Sequence, residues 1–183
     1  MDVQTFKSML LKKHDETWLR YSRIFEKIQM TCDLSSMNKE VASLHSMKKS
    51  RHLATKSNIS VDNLIKAYLD DMAYRSRLIE IAVVLSKKHR TLELILDATS
   101  SYLSYKYGTY LTDKVSRLKS ERQAYIDEAL SDGHILLSKL ESAIEITKMV
   151  VMDIDQSGWA MKNLVELMKL TLVRESVIKE SDI

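Results

Sequence analysis

The sequence predicts an all-α fold, on three observations. The 183 residues contain no proline, whereas ordinary usage of about 5% would give roughly nine. Glycine occurs at only three positions, Gly108, Gly133 and Gly158. Apolar residues recur at spacings of three and four along most of the chain, as on one face of a helix. The scarcity of glycine also argues against phosphate-cradling loops and nucleophile elbows, because each needs clustered glycine.

Residues 1–57 are expected to form a basic N-terminal pair of helices. An apolar stripe predicts one continuous helix over residues 3–31. Residues 33–36 predict a turn, and residues 37–47 predict the second helix. The segment 48–56 carries charge in place of an apolar stripe, so we expect the end of this helix to fray.

Residues 58–183 are expected to form the main helical body, with oligomerisation helices at its C-terminal end. Ser60 is a plausible N-cap for a long third helix that runs to about Tyr107. Such a helix would be roughly 65–70 Å long, which favours an elongated or oligomeric protein built from long antiparallel helices. Residues 78–85 are apolar around the whole circumference. This turn must therefore be covered on every side, either within its own helical bundle or by another subunit.

The three glycines are expected to mark helix ends. Gly108 would end the third helix, and Thr112 would cap the fourth. Gly133 precedes a strongly amphipathic stretch that Gly158 would close. A last helix would then begin at Trp159.

Charge is distributed unevenly along the chain. Residues 1–57 carry 11 basic and 6 acidic side chains, residues 58–125 carry 11 and 8, and residues 126–183 carry 6 and 11. A basic front and an acidic tail favour either a polyanionic ligand near the first two thirds or head-to-tail attraction between copies. A merely solvated surface would show the same counts.

The residue pattern predicts no catalytic, metal or cofactor site. The five histidines lie far apart in the sequence and form no H-E-x-x-H motif. The single cysteine, Cys32, excludes an intramolecular disulfide and a multi-cysteine zinc site. The densest apolar run, residues 79–85, falls far short of the roughly 20 residues that span a bilayer. We therefore expect neither a signal peptide nor a membrane anchor, and a cytoplasmic location is the default.

Residues 101–125 interleave tyrosines with basic side chains, a composition that suits single-stranded nucleic acid. An unpaired base can stack on a phenol ring for about 1–3 kcal/mol, while neighbouring cations neutralise phosphates. Alternatively, the tyrosines are edges of an amphipathic core with their hydroxyls in water. A second basic patch, formed by Lys48, Lys49, Arg51 and Lys56 with His52, either lengthens such a binding track or is a solvated helix end. The candidate nucleic-acid-binding residues are Tyr102, Tyr105, Lys106, Tyr107, Lys114, Arg117, Lys119, Arg122, Lys48, Lys49 and Arg51.

Three further stretches carry a family resemblance. They are DDMAYRSRLIEIAVVLSKKH at residues 70–89, YLSYKYG at residues 102–108, and an acidic lead with an amphipathic helix at residues 131–168 that contains the step Trp159-Ala160-Met161-Lys162. In this order they resemble the bacteriophage UvsY-type recombination mediator family, over roughly residues 59–170. Two features depart from the family pattern: the approach to the tyrosines at residues 98–101 lacks cations, and the N-terminal helical pair is additional.

The resemblance implies a helical, non-enzymatic protein without a cofactor that assembles into a ring-like homo-oligomer. Its ligand would be single-stranded DNA, and its partners would be a recombinase and a single-strand-binding protein. The candidate subunit contacts are Leu78, Ile81, Val84, Leu85, Trp159, Leu164 and Met168. The residues leave another interpretation open, in which the same helices form a virion component, scaffold or adaptor that binds only protein.

Overall fold

A computed structural model describes residues 2–53 and 60–181, with the backbone alone at residues 51, 52, 172 and 175–181. Over these ranges the chain is almost entirely helical and has no strand, which confirms the predicted all-α class. The eight helices are α1 (Val3–Lys12), α2 (Glu16–Thr31), α3 (Leu34–Ser46), α4 (Lys49–Leu53), α5 (Val61–Lys106), α6 (Gly108–Lys114), α7 (Lys119–Ala129) and α8 (Ser131–Ser181).

The helices belong to two compact units, and each unit is assembled from two separate stretches of chain. Unit 1 comprises residues 1–34 and 84–144, and unit 2 comprises residues 35–83 and 145–183. This division differs from the expected boundary at residue 57. The N-terminal helices do not form a unit of their own, because α1 and α2 bury their apolar faces with the second half of α5 and with α6 and α7.

Unit 1 has a core of leucines with an aromatic group beside it. The Phe6 ring meets the Tyr107 ring edge-on at a centroid distance of 5.8 Å and lies 5.6 Å from the Tyr125 ring. Trp18 and Tyr21 of α2 form a second aromatic pair at 5.3 Å. Fully buried side chains of this unit include Phe6, Leu10, Leu85, Leu92, Leu96, Leu103, Leu111, Ile126, Leu130 and Leu140.

Unit 2 brings the first half of α5 against the second half of α8. Leu64 and Ala67 cluster with Met161. Further along α5, the Arg75 guanidinium donates to the carboxylate of Asp155. Positions rise along α5 as they fall along α8, so the two helices run antiparallel within this unit, as expected.

The single helix expected over residues 3–31 is interrupted at its middle. His14 has a φ of 47°, in the left-handed region that ends a helix, and α1 stops just before it. Asp15 then caps α2 by accepting a hydrogen bond from the Trp18 backbone N–H at 3.1 Å. The signal was an aspartate followed at once by Glu16, since an N-cap carboxylate and an acidic first turn both favour a helix start.

The long third helix is confirmed. The Ser60 hydroxyl accepts from the Asn63 backbone N–H at 3.2 Å, and α5 then continues without a break to Lys106. In the apolar segment of α5 at residues 78–85, Leu78, Ile81 and Leu85 are buried within the protomer. The same chain therefore covers most of this segment. The structure therefore corrects the prediction that these three side chains contact another subunit. Val84 keeps 40% of its surface exposed.

The interpretation of the glycines as helix ends is wrong at two positions. Helix α8 passes straight through Gly133 and Gly158. A Cβ at Gly133 would lie 2.6 Å from the Tyr21 hydroxyl oxygen and 2.7 Å from a Leu96 methyl carbon. A Cβ at Gly158 would lie 3.2 Å from the Tyr68 ring. These glycines therefore serve close packing inside a helix.

Near the remaining glycine, Gly108, α5 ends as expected, at Lys106. The next helix, α6, begins at Gly108 itself. Thr112 is an interior residue of α6 and not a cap, since its hydroxyl donates to the Gly108 carbonyl at 2.9 Å. The helix expected after it is divided, because α6 ends at Lys114 and α7 starts at Lys119. As for membranes, none of the helices in the described ranges combines the length and apolar character that crossing a bilayer requires.

Candidate nucleic-acid interface

A buried carboxylate lies beneath the predicted tyrosine-rich segment. The side chain of Asp15 is fully buried at the junction of α1 and α2. One of its oxygens accepts from the Lys106 ammonium at 2.8 Å, the Tyr107 hydroxyl at 2.9 Å and the Tyr102 hydroxyl at 3.0 Å. The other oxygen accepts the capping bond from Trp18. Asp15 thus fixes three of the candidate residues in one place.

These contacts set the protonation states of the cluster. Burial pushes the pKa of Asp15 upward, but the hydrogen bonds from Lys106, the Trp18 N–H and Tyr107 outweigh it and hold the pKa at about 2. The hydrogen bond to Asp15 raises the pKa of Lys106 above its ordinary value. Burial and the neighbouring carboxylate raise the pKa of Tyr107 to about 12. At neutral pH the cluster therefore contains the Asp15 carboxylate, the Lys106 ammonium and a neutral Tyr107 phenol.

The tyrosines separate into core and surface residues. Tyr107 is 5% exposed and packs against Phe6, so neither ring face is available to a base. The structure therefore corrects its assignment as a nucleic-acid contact and supports the core interpretation for this residue. Tyr102 is half-buried. Tyr105, by contrast, is 90% exposed on the last turn of α5.

Sequence reasoning missed one basic residue of this cluster. The Lys13 ammonium lies 5.8 Å from the centre of the Tyr107 ring and 5.9 Å from that of Tyr110. Lys106 lies 5.1 Å from the centre of the Tyr102 ring, and such cation–π contacts fix a charge beside an aromatic group. The sequence pattern predicts that Lys13 lies within a continuous helix over residues 3–31. Only the folded structure shows that its ammonium lies close to the Tyr110 ring. We call Lys13, Tyr102, Tyr105, Lys106 and Tyr110 the tyrosine–lysine surface.

The remaining cations of the predicted segment are used in different ways. Lys114, Arg117 and Lys119 are exposed around the connection between α6 and α7. Arg122 is half-buried and donates to the Ser116 carbonyl at 3.1 Å and the Arg117 carbonyl at 2.6 Å. Arg122 therefore holds this connection in place, and part of its hydrogen-bonding capacity is used by these two carbonyls.

The second predicted patch belongs to unit 2, and one of its three candidate cations is buried in an ion pair. Lys48 is 6% exposed, and its ammonium donates to the Asp153 carboxylate at 2.7 Å. A buried, paired lysine cannot neutralise a phosphate, so its assignment as a nucleic-acid contact is corrected. Lys49 is exposed, while its backbone N–H donates to the buried carboxylate of Asp71 at 2.6 Å. The side chain of Arg51 lies outside the described residues.

Part of the charge asymmetry along the chain is neutralised inside the protomer. Lys7 pairs with Asp132 at 3.3 Å within unit 1. In unit 2, His45 and Lys48 meet Asp153 at 2.9 Å and 2.7 Å, and Lys48 foremost lowers the pKa of this carboxyl. Basic residues of the first third thus pair with acidic residues of the last third without needing a second copy.

The predicted subunit contacts on α8 are mostly accessible. Trp159 is 70% exposed and Leu164 is 38% exposed, whereas Met168 is half-buried against the cluster of Leu64, Ala67 and Met161. The helix exposes further large apolar side chains that sequence reasoning did not select. With Trp159 they form what we call the α8 apolar surface: Met149, Met152, Trp159, Leu167 and Leu170.

The described part of the chain contains no group of three histidine, cysteine, aspartate or glutamate side chains that could hold a metal ion. Comparisons with protein-family models, with curated proteins and with solved structures find no match to this chain.

Proposed function

We propose that this protein is a non-enzymatic single-stranded DNA-binding protein whose contact lies on the tyrosine–lysine surface. One observation carries the proposal: the phenol ring of Tyr105 is 90% exposed, and the next residue, Lys106, has its ammonium 5.1 Å from the centre of the Tyr102 ring. A large aromatic side chain gains little from such exposure in water. An unpaired base would cover it and add a stacking contact of about 1–3 kcal/mol.

Lys106 is suited to a phosphate contact because it is held in place and still accessible. An ammonium has three N–H donors, and Lys106 gives one to Asp15 and one to the Tyr102 hydroxyl. The third donor remains, and 47% of the side chain is exposed. Lys13 adds a second charge nearby, whereas Asp15 is buried beneath them. The accessible side of the cluster is therefore positive.

The proposed biological role is that of a recombination mediator. It is supported by the resemblance of residues 59–170 to the UvsY-type family, through the stretches at 70–89, 102–108 and 131–168. In this role the protein holds single-stranded DNA while a single-strand-binding protein leaves and a recombinase is loaded. Several copies of a weak site, joined in an elongated, ring-like homo-oligomer, would raise the effective concentration of contacts along the strand.

The α8 apolar surface supports assembly of copies. Exposed tryptophans are frequent hot spots of protein interfaces, and Trp159 lies among four other exposed apolar side chains. Sedimentation velocity on the wild-type chain and on Trp159→Gln tests this part of the proposal. We expect an oligomer that the substitution weakens, and a wild-type monomer at micromolar concentration would contradict assembly.

The same surface favours a second candidate, a scaffold or adaptor that binds only protein. Both candidates predict self-association or a protein partner through α8. They differ at the tyrosine–lysine surface, because a scaffold would leave single-stranded DNA unbound.

The test of the proposed function is the affinity for fluorescent oligo-dT, measured by anisotropy for wild-type and Tyr105→Leu proteins. Loss of one stacking contact should weaken binding by roughly 5- to 150-fold. Tyr74→Leu is the matched control, because Tyr74 is a half-buried tyrosine of the same helix in unit 2. Equal affinity of wild-type and Tyr105→Leu proteins, with unchanged thermal stability, would remove Tyr105 from the site.

A further inference from the structure

Helix α2 carries a row of cations on the side opposite its buried residues. Arg20, Arg23 and Lys27 are exposed, and at 100° per residue they fall within roughly 60° of one another around the helix. Trp18, Tyr21 and Ile28 form the buried side of the same helix. We call Arg20, Arg23 and Lys27 the α2 cation row.

The charged groups of the α2 cation row have no ion-pair partner among the described residues. Within residues 2–53 and 60–181, no hydrogen bond or ion pair engages any of its three charged groups. Two arginines of unit 2 are by contrast held by carboxylates, Arg75 by Asp155 and Arg77 by Glu40. Glu16 and Glu26 are the acidic residues of α2, and neither forms an ion pair with the row within the described part of the chain.

A fourth cation stands at the C-terminal end of the same helix. Lys88 of α5 donates to the Thr31 carbonyl at 2.9 Å and to the Thr31 hydroxyl at 2.6 Å. From Arg20 to Thr31 the helix rises about 16 Å, so four positive groups follow one another over that distance. Arg20 and Arg23 line a shallow groove, whose other lining residues are Glu16, Leu19 and Ile24.

We infer that the α2 cation row binds consecutive phosphates of the same single-stranded nucleic acid that contacts the tyrosine–lysine surface. Charge complementarity selects the occupant, because a row of unpaired cations attracts a polyanion and releases its counterions on binding. The two surfaces are linked through one residue: Asp15 caps α2 and also anchors Tyr102 and Lys106. The inference rests on the proposed function and adds a second contact surface to it.

The experiment replaces the row by Arg20→Gln, Arg23→Gln and Lys27→Gln together. Glutamine keeps helix propensity and most of the side-chain length while removing the charge. The matched control is Lys39→Gln, Lys66→Gln and Lys148→Gln, three exposed lysines of unit 2 whose loss changes net charge equally. Affinity for fluorescent oligo-dT is measured by anisotropy between 50 and 300 mM salt, with circular dichroism melting as the check on folding.

At low salt we expect the row variant to bind oligo-dT at least about tenfold more weakly than wild type. The affinity of the control variant should stay within about twofold of the wild-type value. The slope of log affinity against log salt should become less negative by about 2, because each contact with a single strand contributes about 0.7.

The outcomes separate the inference from the proposed function. If wild-type protein binds oligo-dT and the row variant keeps its affinity and slope, the inference is wrong while the proposed function stands. If wild-type protein does not bind oligo-dT at 50 mM salt, both are wrong. If the row variant loses affinity for polyglutamate but not for oligo-dT, the row serves an acidic protein segment instead, which also overturns the inference.

Discussion

The two units differ in how their charged side chains are buried and paired. In unit 1, the fully buried carboxylate of Asp15 accepts four hydrogen bonds, and the cations of α2 have no ion pair within the part of the chain that the structure describes. In unit 2, the side chain of Asp153 stays 44% exposed, and Lys48 and Arg75 are each paired with a carboxylate. Unit 2 also exposes a row of large apolar side chains along one side of α8. Under the proposed function, unit 1 offers the surface for a polyanion and unit 2 offers the surface for protein.

The largest expected effect is the loss of the Asp15 carboxylate. Asp15→Ala should lower the free energy of unfolding by about 3 kcal/mol, because it removes an N-cap and leaves buried donors without an acceptor. Asp153→Ala should cost less, about 1–2 kcal/mol, since Asp153 is itself partly exposed although its loss leaves the buried Lys48 ammonium without a carboxylate. Urea unfolding of both variants measures the difference. Equal losses would contradict the contrast between the two carboxylates.

Acid should weaken the same contact in the wild-type protein. The folded-state pKa of Asp15 is about 2, below the ordinary 3.8, so its contribution is complete above about pH 5 and is lost as pH falls towards 2. The shift corresponds to about 2 kcal/mol. Urea unfolding at pH 5, 4, 3 and 2 measures this loss. In Asp15→Asn the dependence on pH should be shallower by this amount, and an unchanged dependence would show that Asp15 does not titrate as described.

A smaller effect should distinguish the glycines of α8. Gly133→Ala should destabilise the fold by about 1–2 kcal/mol, because its methyl group would overlap buried Tyr21 and Leu96. At Gly158 the contact with Tyr68 is looser, and the gain in helix propensity of about 1 kcal/mol should roughly offset it. Thermal melting compares the two variants. Equal stability of both would mean that Gly133 is not a close-packing position.

The fold class was readable from the sequence because it depends on local properties. Absence of proline, helical periodicity and the N-cap at Ser60 all act over a few residues, and α5 has the predicted bounds. The breaks were harder to place. In the sequence, Gly133 and Gly158 resemble helix ends. In the structure they leave room for side chains of other helices that pack closely against α8, and periodicity does not reveal such contacts. The left-handed residue His14 has no proline or glycine to announce it.

The candidate site was predictable only in part, for a related reason. The burial of Tyr107 follows from the apolar stripe of α5, since it comes four residues after buried Leu103. The same reasoning places Tyr105 on the outer side. The role of Asp15 could not be predicted, because its partner Lys106 lies 91 residues away in the sequence. Lys13 was missed for the same reason.

The most direct test of the central claim is a titration of fluorescent oligo-dT with wild-type protein across a series of salt concentrations. We predict binding at 50 mM salt, with log affinity falling linearly against log salt by about 0.7 for each phosphate contacted. Substituting oligo-dA or a mixed sequence should change the affinity little, because stacking accepts any base. Absence of binding at 50 mM salt, or an affinity that does not respond to salt, would contradict the account.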